Sequence, residues 1–209
     1  MLAVIKMKKL ILIFLLFVSS LALGQRYEFT ENFIEGSIVI GDSTERIGYI
    51  KWDVYSNEKV RFKTLPTSEI EKFKPSDITG LRIDSIQFQT LFNLEAIASD
   101  YALAGVKTKL KAILGEILHK GTYDIYKIYV VGYNAIAGTT VTTANFVFMR
   151  GDQKVCYPYG LRMRQKKYNK AKKDWIELFE GYQEIIEMIN NYQREESIDP
   201  IIKKIKSLD

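Results

Sequence analysis

GTYDIYKIYVVGYN, residues 121–134, places four tyrosines in fourteen positions. Aromatic and β-branched residues are the ordinary material of sheets. The stretch also has two apolar phases. Tyr123, Ile125, Tyr129, Val131 and Tyr133 fall together with Lys127, while Tyr126, Ile128 and Val130 follow Asp124 in the other phase. A strand that is apolar in both phases is covered on both sides, so this stretch predicts a central strand. What lies on either side of it in sequence decides the kind of sheet.

Downstream, after the Gly/Thr-rich AGTTVTT, the segment NFVFMRGDQKVCYPY reads as a hairpin turning at Arg150–Gly151–Asp152–Gln153. Upstream, IEGSIVI and TERIGYIKW flank Gly41–Asp42–Ser43, with Ile34, Ile38 and Ile40 on one face, which is a second hairpin signal. NEKVRFKT alternates Val60 and Phe62 with Arg61 and Lys63, so one side is buried and the other wet. Beyond it, Lys74–Pro75–Ser76–Asp77 separates two strand-like pieces, because proline is tolerated at an edge or turn but not in a central ladder. Leu81 and Ile83 alternate, as do Ile86, Phe88, Thr90 and Phe92. Residues 93–107 show no clean period and read as a loop or insertion. Leu110, Ile113, Leu114, Ile117 and Leu118 then fall at helical spacing, with Thr108 placed to cap and Gly121 to terminate, and this favours a helix over 109–118. Gly115 weakens that helix by about 1 kcal/mol and leaves a strand as the alternative.

The last forty residues change character. Trp175, Leu178, Phe179, Tyr182, Ile185, Ile186 and Ile189 follow a helical period, with Gly181 placed to split it. Ile198, Ile201, Ile202 and Ile205 form another stripe, with Pro200 acceptable in its first turn. The expectation is an α+β domain: an antiparallel twisted sheet or partly closed β-barrel over 25–165, with C-terminal helices from 166–209 packing on it.

At the N-terminus, MLAVIKMKKLILIFLLFVSSLALGQ has lysines at 6, 8 and 9, an apolar run from Leu10 to Val18 and small residues up to Gly24. That is the order of a secretory signal peptide, residues 1–24, with cleavage expected at Gly24/Gln25. The run is short of the ~20 apolar residues a membrane-spanning helix needs. Met7, directly before Lys8–Lys9, is the more natural start. With no cysteine near the cut, lipid modification is excluded and a soluble product, periplasmic or extracellular, is expected; the membrane is met only through the leader.

Loss of the leader removes three lysines and leaves 27 basic against 25 acidic residues, a formal +2. So small an excess argues against nucleic acid as a partner. Cys156 is the only cysteine, so a hydrophobic core rather than a disulfide framework must hold the domain.

The order of motifs resembles a broad group of small exported proteins of Bacteroidota whose function is uncharacterised. The resemblance is carried by Gly36–Ser37–Ile38, Gly41–Asp42, Gly48–Tyr49–Ile50, Phe62–Lys63, the segment Phe73 to Leu81 and the helix around Leu178 to Ile185. Where many members place a proline after the first terminal helix, this chain has Gln183. The resemblance implies an exported, strand-rich domain with terminal helices and carries no catalytic motif.

His119 is the only histidine, and a triad or zinc site would need further partners for it. Cys156 in VCYPY reads as a strand residue. Arg150–Gly151–Asp152 is explained by hairpin-turn chemistry before adhesion. The basic run Arg162 to Lys173 reads as a solvated linker before a helix. No catalytic, metal or cofactor site is expected. The tyrosines leave one candidate: a platform of Tyr129 or Tyr133 with Tyr157, Tyr159 and Arg162, able to stack on a sugar or receive a peptide. The function this favours is a non-enzymatic envelope or secreted binding or adaptor protein acting on a protein or glycan partner. The alternatives are a carboxylate-dependent hydrolase of an envelope polymer and a purely structural envelope protein.

Overall fold

The computed structural model describes residues 27–41, 44–55, 59–97, 107–134, 139–157, 165–193 and 196–209. Ten strands form one antiparallel sheet: β1 (Ile34–Ile40), β2 (Thr44–Lys51), β3 (Val60–Lys63), β4 (Glu71–Phe73), β5 (Gly80–Ile83), β6 (Ile86–Ile97), β7 (Lys107–His119), β8 (Asp124–Asn134), β9 (Thr139–Arg150) and β10 (Gln153–Tyr157). Their order is β10-β9-β8-β7-β6-β5-β1-β2-β3-β4. Among the described residues no ladder joins β10 to β4, so the sheet is open. Its long strands nonetheless curl, and the Lys154 Nζ of β10 donates to the Phe92 carbonyl of β6 at 3.1 Å. Three helices follow: α1 (Gln165–Leu178), α2 (Gln183–Asn191) and α3 (Asp199–Lys206). The α+β expectation therefore holds. Among the described residues, no helix is long and apolar enough to cross a membrane.

The turn glycines lie where the sequence put them. Gly41 and Gly151 have φ of 54° and 57°, left-handed values at the two hairpin turns, and Gly181, with φ of 94°, separates α1 from α2. The first described turn of α1 already contains Gln165, so much of the basic run is helix rather than linker.

Residues 109–118 are strand, not helix. The stripe at helical spacing is equally what a central strand shows when both its faces are buried. β7 lies between β6 and β8, with Glu116 paired to Phe88 on one side and to Lys127 on the other. Asn93, with φ of 54°, also breaks the alternation of β6. In consequence Leu91 and Leu94, three residues apart, meet the same cluster, as do Leu110 and Ile113 on β7, which mimics a helical period. Residues 93–97, expected in a loop, complete β6; the rest of that expected loop, 98–106, lies outside the described residues.

Three apolar clusters follow from the registers. On one face of β8–β10, Ile125, Phe148 and Tyr157 pack under the helices with Trp175, Phe179, Ile189 and Ile205. On the same face of the N-terminal half, Ile38, Ile50, Phe62, Leu81, Ile83 and Phe88 are covered by Phe29, Trp52 and Val54. On the opposite face of the curled strands, Leu91, Ile113, Tyr126, Ile128 and Val147 fill the concave side, with Cys156 at its margin. Arg150 of the hairpin turn is held against the Tyr123 and Tyr182 rings, 5.5 and 6.0 Å from their centroids, and donates to the Glu180 carbonyl. Its guanidinium thus serves the helix junction.

Candidate functional site

The helix-covered cluster and the N-terminal cluster share one face of the sheet but do not merge. Between them, β7 and β8 present Glu116 and Lys127, which are direct cross-strand partners, and then Tyr129. All three are half-buried. Opposite charges facing across a ladder attract one another, so a polar pair can persist in a central strand.

Two segments fold over this interval. The short turn Glu28–Thr30 brings Tyr27, and the stretch after β2 brings Tyr55. They are held through their backbone carbonyls: the Trp52 N–H donates to the Phe29 carbonyl at 2.9 Å, and the Thr142 side-chain hydroxyl of β9 donates to the Tyr55 carbonyl at 3.1 Å. The Tyr27 ring stacks on Phe29 at 4.9 Å, and Tyr55 meets Tyr129 edge-on at 4.9 Å, an arrangement favoured by the ring quadrupole.

The polar tips converge. The Tyr27 hydroxyl donates to Glu116 Oε2 at 2.6 Å and lies 3.4 Å from the Tyr129 hydroxyl. The Lys127 Nζ stands 5.2 Å from the centre of the Tyr129 ring. Burial, reinforced by the Glu116 carboxylate that accepts its hydrogen bond, pushes the Tyr27 hydroxyl well above the ordinary phenol range. Desolvation works against the Lys127 ammonium, but the Tyr129 hydroxyl and the Glu116 carboxylate outweigh it and hold its pKa above the usual lysine value. The gap between the two clusters is thus filled by three half-buried rings in mutual contact, with one carboxylate and one cation among them.

The raised Tyr27 value has a consequence for stability. The fold favours the neutral hydroxyl, so its contribution is fully present below the unfolded value near 10 and is lost as the pH rises beyond it. Tyr27→Phe is expected to cost about 1.5 kcal/mol at neutral pH, as for a hydrogen bond to a charged group. It should also flatten the decline in stability above pH 10, measured by urea unfolding at several pH values. An undiminished alkaline decline in the variant would show that Tyr27 titrates alike in both states.

Of the residues expected to form a platform, Tyr129 stands in this gap. Tyr157 does not join it: it is 2% exposed, beneath the helices, with its ring 4.3 Å from Trp175 and its hydroxyl 3.4 Å from that of Tyr168. Burial pushes that hydroxyl up too. Tyr133 lies on β8 opposite Thr140, and Tyr159 and Arg162 fall outside the described residues. The structure instead adds Tyr27, Tyr55, Glu116 and Lys127. Only the Glu116–Lys127 pairing had a local signal, as charges of opposite sign in apolar strands. The contributions of Tyr27 and Tyr55 depend on chain reversals about ninety residues long, which no local pattern encodes.

His119, at the end of β7, bonds the Asp209 carboxylate through Nε2 at 2.6 Å, and Asp209 also accepts from the Thr122 N–H at 2.9 Å. The Thr122 and His119 donors hold the Asp209 carboxyl below the usual range. This contact ties the segment after α3 to the β7–β8 turn. Among the described residues no group of three or more histidine, cysteine or acidic side chains could hold a metal ion. Comparison of the chain with protein-family models, with curated proteins and with solved structures finds no match.

Proposed function

We propose that this chain is an exported, non-enzymatic binding or adaptor protein of the cell envelope or its surroundings, acting on a protein or glycan partner through the Tyr27–Tyr55–Tyr129 gap. The leader-like residues 1–24 support export. One observation carries the site: three half-buried tyrosine rings at the margin of the N-terminal apolar cluster converge with a carboxylate and an ammonium. A sheet that needed only stability would be served as well by apolar residues there. Flat rings stack on the apolar faces of sugars or on peptide side chains, while Glu116 and Lys127 accept and donate to their polar groups.

The test is calorimetric titration of the exported, processed protein with soluble peptidoglycan fragments, which present sugar and peptide together. Tyr55→Ala and Lys127→Gln are each expected to weaken binding roughly ten- to thirtyfold, the size of a modest hot spot, with circular dichroism unchanged. Binding that ignores both substitutions would place the ligand elsewhere. Shortening of the fragments during the titration would instead favour a carboxylate-dependent hydrolase, for which a second carboxyl facing Glu116 is required.

A further inference from the structure

The face of β1, β2 and β5 turned away from the core carries a cavity of about 580 Å³, bounded by Phe33, Glu35, Ile47, Tyr49, Arg82 and Asp84. The registers set out its plan. Ser37 on β1 lies between Ile47 on β2 and Arg82 on β5, and Glu35, two residues back, is opposite Tyr49. The Asp84 N–H donates to the Glu35 carbonyl at 3.2 Å, which sets Asp84 beside Glu35. Alternate residues of a strand share a face, so a trough runs along β1. Its floor is the small, buried Ser37; one wall is Ile47 with Tyr49, and the other is Arg82 with Asp84.

The trough is charged unevenly. At one end Glu35 and Asp84 are cross-strand neighbours, and like charges so placed destabilise a sheet. Among the described residues neither carboxylate forms an ion pair; Glu35 accepts only a long bond, 3.5 Å, from the Tyr49 hydroxyl. Lys63, beyond Tyr49 in the same row, turns to the Phe33 ring at 4.8 Å and to the Pro66 carbonyl at 3.1 Å. The hairpin turn after β5 explains a short polar residue at Asp84, whose φ is 52°. Asparagine or glycine suits such a turn as well, so the turn does not explain the charge. At the other end Arg82 has one carboxylate near it, Glu45, at 3.9 Å, with both side chains half-exposed. A contact of that kind is weak and leaves the guanidinium able to take another acceptor.

Between the two ends the β2 wall is apolar where a wet face would be polar. Ile47 is 72% exposed, more than any other large hydrophobic residue among those described, and the half-buried Tyr49 ring follows it on the same face. Phe33, two residues before Glu35, closes the acidic end. Two residues of an antiparallel strand span about 7 Å, and that repeat separates the row of Arg82 from the row of the two acids. An acidic end, a basic end and an apolar wall between them fit a ligand made of an ammonium, a short methylene chain and a carboxylate.

We infer that this trough binds an ω-amino carboxylate, the grouping carried by free lysine and by a peptide that ends in lysine. Glu35 and Asp84 take the ammonium, Arg82 takes the carboxylate, and Ile47 and Tyr49 cover the methylenes. A simple cation would be opposed by Arg82, and a simple anion would meet Glu35 and Asp84, so the two ends together select a ligand that carries both charges. The trough lies on the face of the sheet opposite the tyrosine gap, so the inference stands independently of what the gap binds.

Calorimetric titration of the chain from Gln25 onward with 6-aminohexanoate tests it. Saturable binding is expected, with hexylamine and hexanoate each weaker by roughly tenfold or more. Glu35→Gln/Asp84→Asn should weaken 6-aminohexanoate by more than about tenfold. Arg82→Gln should erase the preference for 6-aminohexanoate over hexylamine, with both variants folded by circular dichroism. Tighter binding of the peptide Gly-Gly-Lys than of free lysine would assign the grouping to a peptide end, and the reverse to the free amino acid. Absence of saturation by about 10 mM in the folded parent would overturn the inference. So would hexylamine binding the parent as tightly as 6-aminohexanoate, a comparison that needs no variant, or binding that neither variant alters.

Discussion

Trp175→Ala is expected to lower the stability to urea by about 3–5 kcal/mol, the range for emptying a large aromatic site in a core. Trp175 is fully buried in α1, and its ring lies 4.3 Å from Tyr157, 5.3 Å from Phe148 and 6.2 Å from Tyr192. It thereby joins β9, β10, α1 and the residue that ends α2. Since a domain of this kind has only about 5–15 kcal/mol in all, the variant should sit near the edge of folding at 37 °C. Trp175→Phe provides the control. The indole Nε1 is buried without a hydrogen-bond partner among the described residues, so the smaller ring also relieves an unsatisfied donor, and its cost should stay below about 2 kcal/mol. Equal costs for the two variants would mean that the helices are not seated on the sheet through this residue.

Gly48→Val should be the next most damaging change, at about 3 kcal/mol. Gly36 and Gly48 face each other across the first hairpin, and each lies against the strand beyond. A Cβ on Gly48 would stand 2.2 Å from the Lys63 carbonyl oxygen and 2.7 Å from the Phe62 ring. One on Gly36 would stand 2.2 Å from the Arg82 carbonyl oxygen. Neither oxygen can yield without moving its strand, so the cost comes from separating β2 from β3 rather than from backbone freedom. Urea unfolding checks it, and a cost below about 0.5 kcal/mol, typical of a surface change, would contradict the close approach. The glycines of the sequence motif thus have a packing reason.

The hairpins, the central tyrosine strand and the terminal helices were legible in the sequence because each rests on a short period and a turn residue within a few positions. β7 was not, because burial on both faces and the kink at Asn93 made a strand read with a helical period. Among the described residues the candidate site was legible only at Tyr129. Tyr157 shares its chemistry but lies under α1, and nothing local to VCYPY announces a covering helix. The companions of Tyr129 come from β7, from the same strand β8 and from two chain segments folded over them, so they become neighbours only through the tertiary fold.

The central claim is the proposal that a ligand engages the Tyr27–Tyr55–Tyr129 site at the margin of the N-terminal cluster. Its most direct test is an amide NMR titration of the chain from Gln25 onward with soluble peptidoglycan fragments. The predicted result is a set of shifts concentrated at Tyr27, Tyr55, Glu116, Lys127 and Tyr129, saturating with a single affinity. Saturable shifts confined to other strands or to the helices, with these five residues unmoved, would contradict it.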